Sequence, residues 1–434
     1  MASFTFLHAA DIHLDSPLRG LEGQEGAAAE RIRTATRQAF VGLIDLALAE
    51  EVAFVVIAGD LYDGDWKDYQ TGLFFVGQMG RLAAAGIPVF LLYGNHDAES
   101  RITRKLGLPE TVRAFSYRKA ESFILQDLKV ALHGRSFPQP AVTDNLVPDY
   151  PEPLAGHLNI GVLHTGLGGL GGHANYAPCG EGDLTNKGYD YWALGHVHKA
   201  QVLRRDPYLV FPGNLQGRQI RETGAKGACL VEVVDGVIAE VTWHYVDVVR
   251  WAEVPLSLTG CSSQQAILTL IGPALEAAVA READGRLLAC RLVLTGENRL
   301  PGALDLGADS LLAEARAIAL GLGPEVAWIE RIVDRSEPPP AAAEVAARDD
   351  ALAQLERLLA EAGEDPDFLA LLKADLTPLL SHLPADLRLD LEPEDRFLQL
   401  AQGDEGSALI AAARQLLLAE LTDQSEGRDA LPPA

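Results

Sequence analysis

A chain of 434 residues with 48% hydrophobic and 22% charged residues is of ordinary globular composition and too long for one small core, so two or three domains are expected. A formal net charge of −25 excludes a generic polyanion binder, because repulsion opposes long-range approach to DNA, RNA or an acidic membrane. The charge is uneven, with 20 Asp and Glu against 7 Lys and Arg in residues 341–434, so nucleic acid is open at a local site only.

Cys179, Cys229, Cys261 and Cys290 lack any C-x-x-C spacing, which indicates neither a disulfide framework nor a thiolate zinc site. The N-terminal segment has no basic stretch before its apolar run. No run elsewhere approaches the roughly 18 apolar residues of a membrane span. A soluble, cytoplasmic protein is expected.

In chain order, FTFLHAAD (4–11) reads as a strand ending in polar residues. A helix is expected between Ala27 and Glu51, where Ile32, Phe40, Leu43 and Ala47 fall near helical spacing. AFVVIAGD (53–60) is a second buried strand, residues 69–85 a second helix, and PVFLLYGNHD (88–97) a third strand that changes character at Gly94. This alternation indicates an α/β domain. Shorter strand-like runs follow at 122–125, 129–132, 158–164, 190–196, 208–211, 228–234 and 237–246. They exceed one parallel sheet, so two packed sheets flanked by helices are expected over residues 1–250.

From Trp251 the pattern becomes a smaller α/β unit ending near Arg335. Residues 336–340, with the run EPPP, form a stiff linker. Leucines at helical spacing make 341–423 helical, and 424–434 read as a disordered tail. GLGGLG (166–171) matches a dinucleotide fingerprint, but Pro178 and Gly180 leave no helix behind it for a pyrophosphate, so a flexible loop is expected.

The chemistry gathers at strand ends. Five strands are each followed by Asp, Asn or His: Asp11 and His13, then Asp60 and Asp63, then Asn95, His96 and Asp97, then His164, then His196 and His198. Carboxylate, imidazole and amide oxygen without thiolate form a borderline-hard ligand set suited to manganese, iron or zinc. Asp11/His13 and His196/His198 are spaced i, i+2, which puts both side chains on one face of extended chain. So many ligands exceed the needs of one ion. Two ions sharing a carboxylate would use them all, and such a pair cleaves phosphoesters. His8, His133, His157, His173, His244 and His382 fall outside the motifs and read as structural or surface histidines.

The ordered set D-x-H, G-D-x-x-D, G-N-H-D, an isolated His and G-H-x-H resembles the calcineurin-like metallophosphoesterases. More narrowly, LHAADIHLDSPLRGL (7–21), GDLYDGDW (59–66), YWALGHVHK (191–199) and FPGNLQGRQIRE (211–222) resemble the bacterial YhaO-type DNA repair exonucleases, relatives of the SbcD nuclease subunit. The resemblance implies a four-layer α/β/β/α sandwich of two mixed sheets, with a small capping domain at 251–335 that helps choose DNA shape. It also implies two divalent metal ions, most simply Mn2+. Asp11, His13 and His198 would hold one, Asn95, His164 and His196 the other, and Asp60 would bridge them. Water would attack phosphorus in line while His96 serves as general acid. Asp97 is expected to orient His96 by adjacency. Asp63 departs from relatives that carry a histidine there and is expected to support a neighbouring side chain instead. Lys199, Arg218 and Arg221 are candidate phosphate contacts.

By the same resemblance, the expected activity is that of a DNA exonuclease or endonuclease in repair. An SMC-like coiled-coil ATPase would dock on the helical C-terminal region, and a homodimer is a further expectation. A second reading keeps the chemistry and makes the substrate a nucleotide or other small phosphodiester. A third is a non-catalytic adaptor for the ATPase.

Overall fold

The computed structural model describes residues 2–16, 27–63, 69–99, 107–169, 176–298, 301–336 and 351–382, with isolated positions near 410. Among these, the first 250 residues contribute twelve strands: β1 (Phe4–Ala9), β2 (Val55–Ala58), β3 (Val89–Leu92), β4 (Val112–Ala114), β5 (Glu121–Leu125), β6 (Val130–Gly134), β7 (Leu158–His164), β8 (Tyr191–Gly195), β9 (Gln201–Arg205), β10 (Tyr208–Phe211), β11 (Gly227–Val234) and β12 (Val237–Tyr245). They form two mixed six-stranded sheets, ordered β12-β11-β1-β2-β3-β4 and β5-β6-β7-β8-β10-β9. β1 to β4 run parallel in the first sheet, and β6, β7, β8 and β10 run parallel in the second.

Alternation along the strands builds the layers. In β2 and β3, Val56, Phe90 and Leu92 face the second sheet and meet Leu132, Ile160, Val162, Tyr191 and Ala193. Their neighbours Val55, Ile57, Val89 and Leu91 face outward. There they meet Phe40, Leu43 and Ala47 of the helix Ala35–Ala49, and Phe75, Met79 and Leu82 of the helix Gln70–Ala84. Because both faces are covered, β2 and β3 read as unbroken apolar runs. The outer face of the second sheet, with Leu163, Trp192, Leu194 and Phe211, is covered by Phe137, Val147, Tyr150 and Leu184. In that fourth layer the described helices are short, Val147–Asp149 and Glu181–Asn186. Phe90 is fully buried and lies edge-on to Phe54 with centroids 5.9 Å apart. Phe90→Ala is expected to cost about 3–5 kcal/mol, seen as a lower denaturant midpoint; an unchanged midpoint would show that the inter-sheet core is not as packed as described.

Several local expectations differ from what is found. The helix expected over 27–51 is interrupted at Thr34 into Ala27–Arg33 and Ala35–Ala49; the Thr34 hydroxyl donates to the carbonyls of Glu30 and Arg31 at this junction, while the Thr34 and Gln38 backbone N–H groups keep their helical partners Glu30 and Thr34. β4 and β9 had no apolar run to announce them. Both are edge strands, and β9 carries Arg204 and Arg205 on its exposed end. Residues 166–169 form a turn, and 170–175 lie outside the described residues.

A third sheet, ordered β13-β14-β15, is made of β13 (Val249–Ser257), β14 (Leu287–Thr295) and β15 (Ala327–Asp334), with helices Gln264–Ala278 and Pro301–Leu322 between the strands. The chain forms two compact units. One comprises Met1–Val254, Leu275–Arg291 and Arg316–Arg331; the other comprises Pro255–Ala274, Leu292–Ala315 and Ile332–Ala434. In the second unit the helices Ala351–Glu364 and Pro366–His382 meet at Asp365, whose carboxylate accepts the backbone N–H of Asp367 and Phe368. The linker residues 337–340, the expected helical residues 341–350, most of 383–423 and the tail 424–434 lie outside the described residues. No helix among the described residues is long and apolar enough to cross a membrane.

Candidate metal centre

The five motifs follow the carboxyl ends of β1, β2, β3, β7 and β8. These ends abut where the two sheets meet. His164 Nδ1 donates to the Ala58 carbonyl oxygen at 3.0 Å, and a side chain at Gly195 would collide with that same carbonyl. Gly59 and Gly94 are required for the same reason: a Cβ on either would lie 2.3 Å from His164 Nδ1 or from Asp60 Oδ1, respectively. Asp11, His13, Asp60 and His196 all take positive φ, between 48° and 95°. Such backbone is costly for residues with side chains and persists where the surroundings hold it, as at ligand-binding centres.

Three groups of potential ligand atoms gather there, each within 4.8 Å: Asp11, His13 and His198; His13, Asp60 and His96; and Asp60, His164 and His196. Asn95 joins the last, its Oδ1 lying 3.0 Å from His164 Nε2. Asp60 Oδ2 stands 3.3 Å from His164 Nε2 and 3.9 Å from His13 Nε2, which places this carboxylate between the two halves. Asp11 accepts the His196 backbone N–H on both oxygens.

The donor set fits a pair of divalent cations. His13 Nε2 and His198 Nε2 face each other at 3.3 Å, an arrangement that two lone pairs tolerate only with a proton or a cation between them. The far nitrogens of two histidines are committed elsewhere: His198 Nδ1 to Glu222 Oε1 at 2.7 Å, and His164 Nδ1 to Ala58, so each ring turns Nε2 inward. Burial opposes charge on His164, but Asp60 beside it outweighs burial and raises its pKa to about 9. The carboxylate and amide oxygens of Asp60 and Asn95, 3.3 and 3.0 Å from His164 Nε2, thus form surroundings that favour positive charge. Burial also lifts Asp11, against the pull of His198 and His164, to about 6. Asp60 is buried too, yet His164, His13 and His96 hold it well below the usual carboxylate range.

His96 lies at the open edge. Its Nδ1 is 2.9 Å from Asp63 Oδ1. Burial lowers the pKa of His96, but the Asp63 hydrogen bond and the charges of Asp60 and Asp63 raise it to about 9 overall. The expectation that Asp97 orients His96 is therefore corrected. Asp97 is buried and accepts the backbone N–H groups of Gly94, Leu61 and Tyr62 at 2.9, 3.2 and 2.9 Å. As the third residue of the short helix Asn95–Glu99 it reaches back to the first turn, a capping role that adjacency in sequence could not reveal. The orienting carboxylate is Asp63, which also accepts from Ser16 Oγ and lies 3.6 Å from His13 Nδ1.

The three basic candidates fare differently. Arg218 is near the site, but its guanidinium is tied to carboxylates, Nη1 to Asp63 Oδ2 at 3.5 Å and Nη2 to Glu222 Oε1 at 3.2 Å. It braces two supporting residues instead of presenting a loose cation. Lys199 and Arg221 are exposed. Glu222 is the functional residue that sequence reasoning missed. It stood at the end of a quoted motif, but nothing in its spacing connects it with His198. His8 and His133 are buried against Tyr191 and against Ser122 and Asn159, as structural histidines; His173 lies outside the described residues.

The family described as calcineurin-like phosphoesterase matches residues 4–200, and the one described as metallophosphoesterase YhaO, middle domain, matches residues 251–337. The uncharacterized metallophosphoesterase YhaO of Bacillus subtilis (strain 168) is 36% identical over 275 residues, covering 62% of this chain and 67% of that protein. The DNA double-strand break repair proteins Mre11 of Sulfurisphaera tokodaii and Methanopyrus kandleri are 24% and 25% identical over 249 and 271 residues. Those matches cover 54% and 56% of this chain, and 60% and 57% of the two proteins, less than two thirds of each. With residues 4–200 and 251–337 matched by these two families and a relative of 36% identity covered over 67% of its length, the chain belongs to the calcineurin-like metallophosphoesterases and, within them, to the YhaO family.

Proposed function

We propose that this chain is a two-metal phosphodiesterase that cleaves DNA, at ends or in single strands, in DNA repair. The observation that carries the chemistry is the convergence of Asp11, His13, Asn95, His164, His196 and His198 around one shared carboxylate, Asp60, with His96 at the rim. Two divalent cations held there would polarise the phosphoryl oxygens and supply a nucleophile from water at neutral pH. The thiolate-free set of imidazole and oxygen donors suits manganese, iron or zinc, and of these Mn2+ is the ion we propose. His96, protonated and held by Asp63, donates its proton to the leaving oxygen. Glu222 and the Ala58 carbonyl keep His198 and His164 turned to the centre. DNA as substrate is supported by the Mre11 relatives, which are named as DNA double-strand break repair proteins. In this reading an SMC-like ATPase docks on the C-terminal helices and supplies basic surface that a chain of net charge −25 lacks.

A second reading, hydrolysis of nucleotides or other small phosphodiesters, is favoured by one observation: Arg218, a basic side chain beside the site, is already neutralised by Asp63 and Glu222. One panel separates the two. End-labelled duplex and single-stranded DNA, cyclic nucleotides and bis-p-nitrophenyl phosphate are each incubated with the chain and Mn2+, with and without the candidate ATPase. The expected result is Mn2+-dependent shortening of DNA at low enzyme concentration. Turnover of the small esters with intact DNA under every condition would overturn the nuclease assignment.

A further inference from the structure

We infer that Gln216 and Trp251 are positioning residues for the metal centre, acting through the turn 214–222 on the Glu222 carboxylate that orients His198. The start of β13 then helps to set the cation site at Asp11, His13 and His198. The inference rests on the two-cation reading above.

Glu222 is built into its turn at every oxygen. Oε1 meets His198 Nδ1, and Oε2 accepts from Asn214 Nδ2 at 3.0 Å and from the Arg218 backbone N–H at 2.8 Å. The position of Glu222 is thus the position of the turn. One end of the turn is fixed on the last ligand motif, where the Asn214 backbone N–H donates to the His198 carbonyl at 3.3 Å.

The other end is fixed on β13. The buried amide of Gln216 reads the backbone there as a neighbouring strand would. Its Oε1 accepts the N–H groups of Val248 and Val249 at 2.8 and 3.3 Å, and its Nε2 donates to the Val249 carbonyl at 2.7 Å. Next to it, Trp251 Nε1 donates to the Gly217 carbonyl at 2.9 Å. Gly217 is closely enclosed: a Cβ would lie 2.7 Å from the Glu222 carbonyl oxygen and 3.0 Å from the Trp251 ring. Gln216, Asn214 and Trp251 are each at most 2% exposed, so water cannot replace these bonds without opening the turn. The turn's backbone N–H groups meet two ligands of one site, Asn214 donating to the His198 carbonyl and Leu215 to the Asp11 carbonyl at 3.5 Å. Positioning is thereby distinguished from general stability, since loss of the bracket is expected at the site of Asp11, His13 and His198 and not at the other.

The test uses the full chain, freed of metal and titrated calorimetrically with Mn2+. Wild type is expected to take up two ions. Gln216→Met and Trp251→Phe, which keep bulk and remove the hydrogen bonds, are expected to weaken one site about 10- to 100-fold, as losses of residues behind a ligand do, and to leave the other unchanged. Glu222→Gln should give the same pattern. Gln216→Met added to Glu222→Gln should weaken that site no further, because both act through one group. Where Gln216→Met does not fold by circular dichroism, Trp251→Phe decides. Unchanged affinity at both sites, equal weakening of both, or additive losses in the double variant would overturn the inference alone. A wild-type chain that takes up no Mn2+ would overturn the two-cation reading itself.

Discussion

Asp60→Ala is expected to yield a folded chain that no longer holds two Mn2+ and hydrolyses bis-p-nitrophenyl phosphate about 10³-fold more slowly. The carboxylate stands between both halves of the centre, 3.3 Å from His164 Nε2 and 3.9 Å from His13 Nε2, and accepts the His96 backbone N–H at 3.0 Å. Removing it leaves each ion short of a ligand and takes away the charge that balances three histidines. Metal-assisted charge stabilisation is worth several kcal/mol in such reactions, and each ~1.4 kcal/mol is tenfold in rate. The fold does not depend on it, because β2 and the helices against it are held by apolar packing. Asp60→Asn separates the two duties of the side chain: Oδ1 remains for the His96 N–H, while the negative charge is lost. Wild-type turnover with two ions still bound in Asp60→Ala would sink the shared-carboxylate assignment.

His96→Ala is expected to lower kcat by about 10²- to 10⁴-fold, the usual contribution of a positioned general acid, while Mn2+ uptake stays near wild type. The pH dependence identifies its partner. Asp63 helps raise the His96 pKa to about 9 against the opposing effect of burial. The active, protonated form is therefore present below the raised pKa and is lost as pH rises through it. Bound cations add positive charge and pull this pKa downward in the loaded protein. Asp63→Asn removes a raising influence, so the basic limb of the kcat/KM profile should move to lower pH, with kcat in the plateau less affected than in His96→Ala. Asp97→Asn, which perturbs a helix start and not the imidazole, should leave that limb in place. A basic limb that shifts in Asp97→Asn and stays fixed in Asp63→Asn would reverse the roles given to the two carboxylates.

Strands buried on both faces are legible because they need unbroken apolar runs, and β2, β3, β7 and β8 stand in the sequence nearly to the residue. The edges β4 and β9 are not. They are short or charged, and only the neighbouring strand makes them strands. Candidate ligands could be named because each follows its own strand, in the place where parallel sheets present loops to ligands. The carboxylates behind them could not be assigned in the same way. Asp97 is adjacent to His96 and turns away from it; Asp63 and Glu222 lie 33 and 24 positions from the rings they hold.

Local chemistry is thus written in the chain itself: which segments become strands, which residue types follow them, and the donor set they offer. Partnership is decided only in three dimensions. A hydrogen bond depends on where two backbones cross and not on how far apart they lie along the sequence. The sequence therefore determined the candidate ligands, and the packing of two sheets and one buried turn decided which carboxylate serves which histidine.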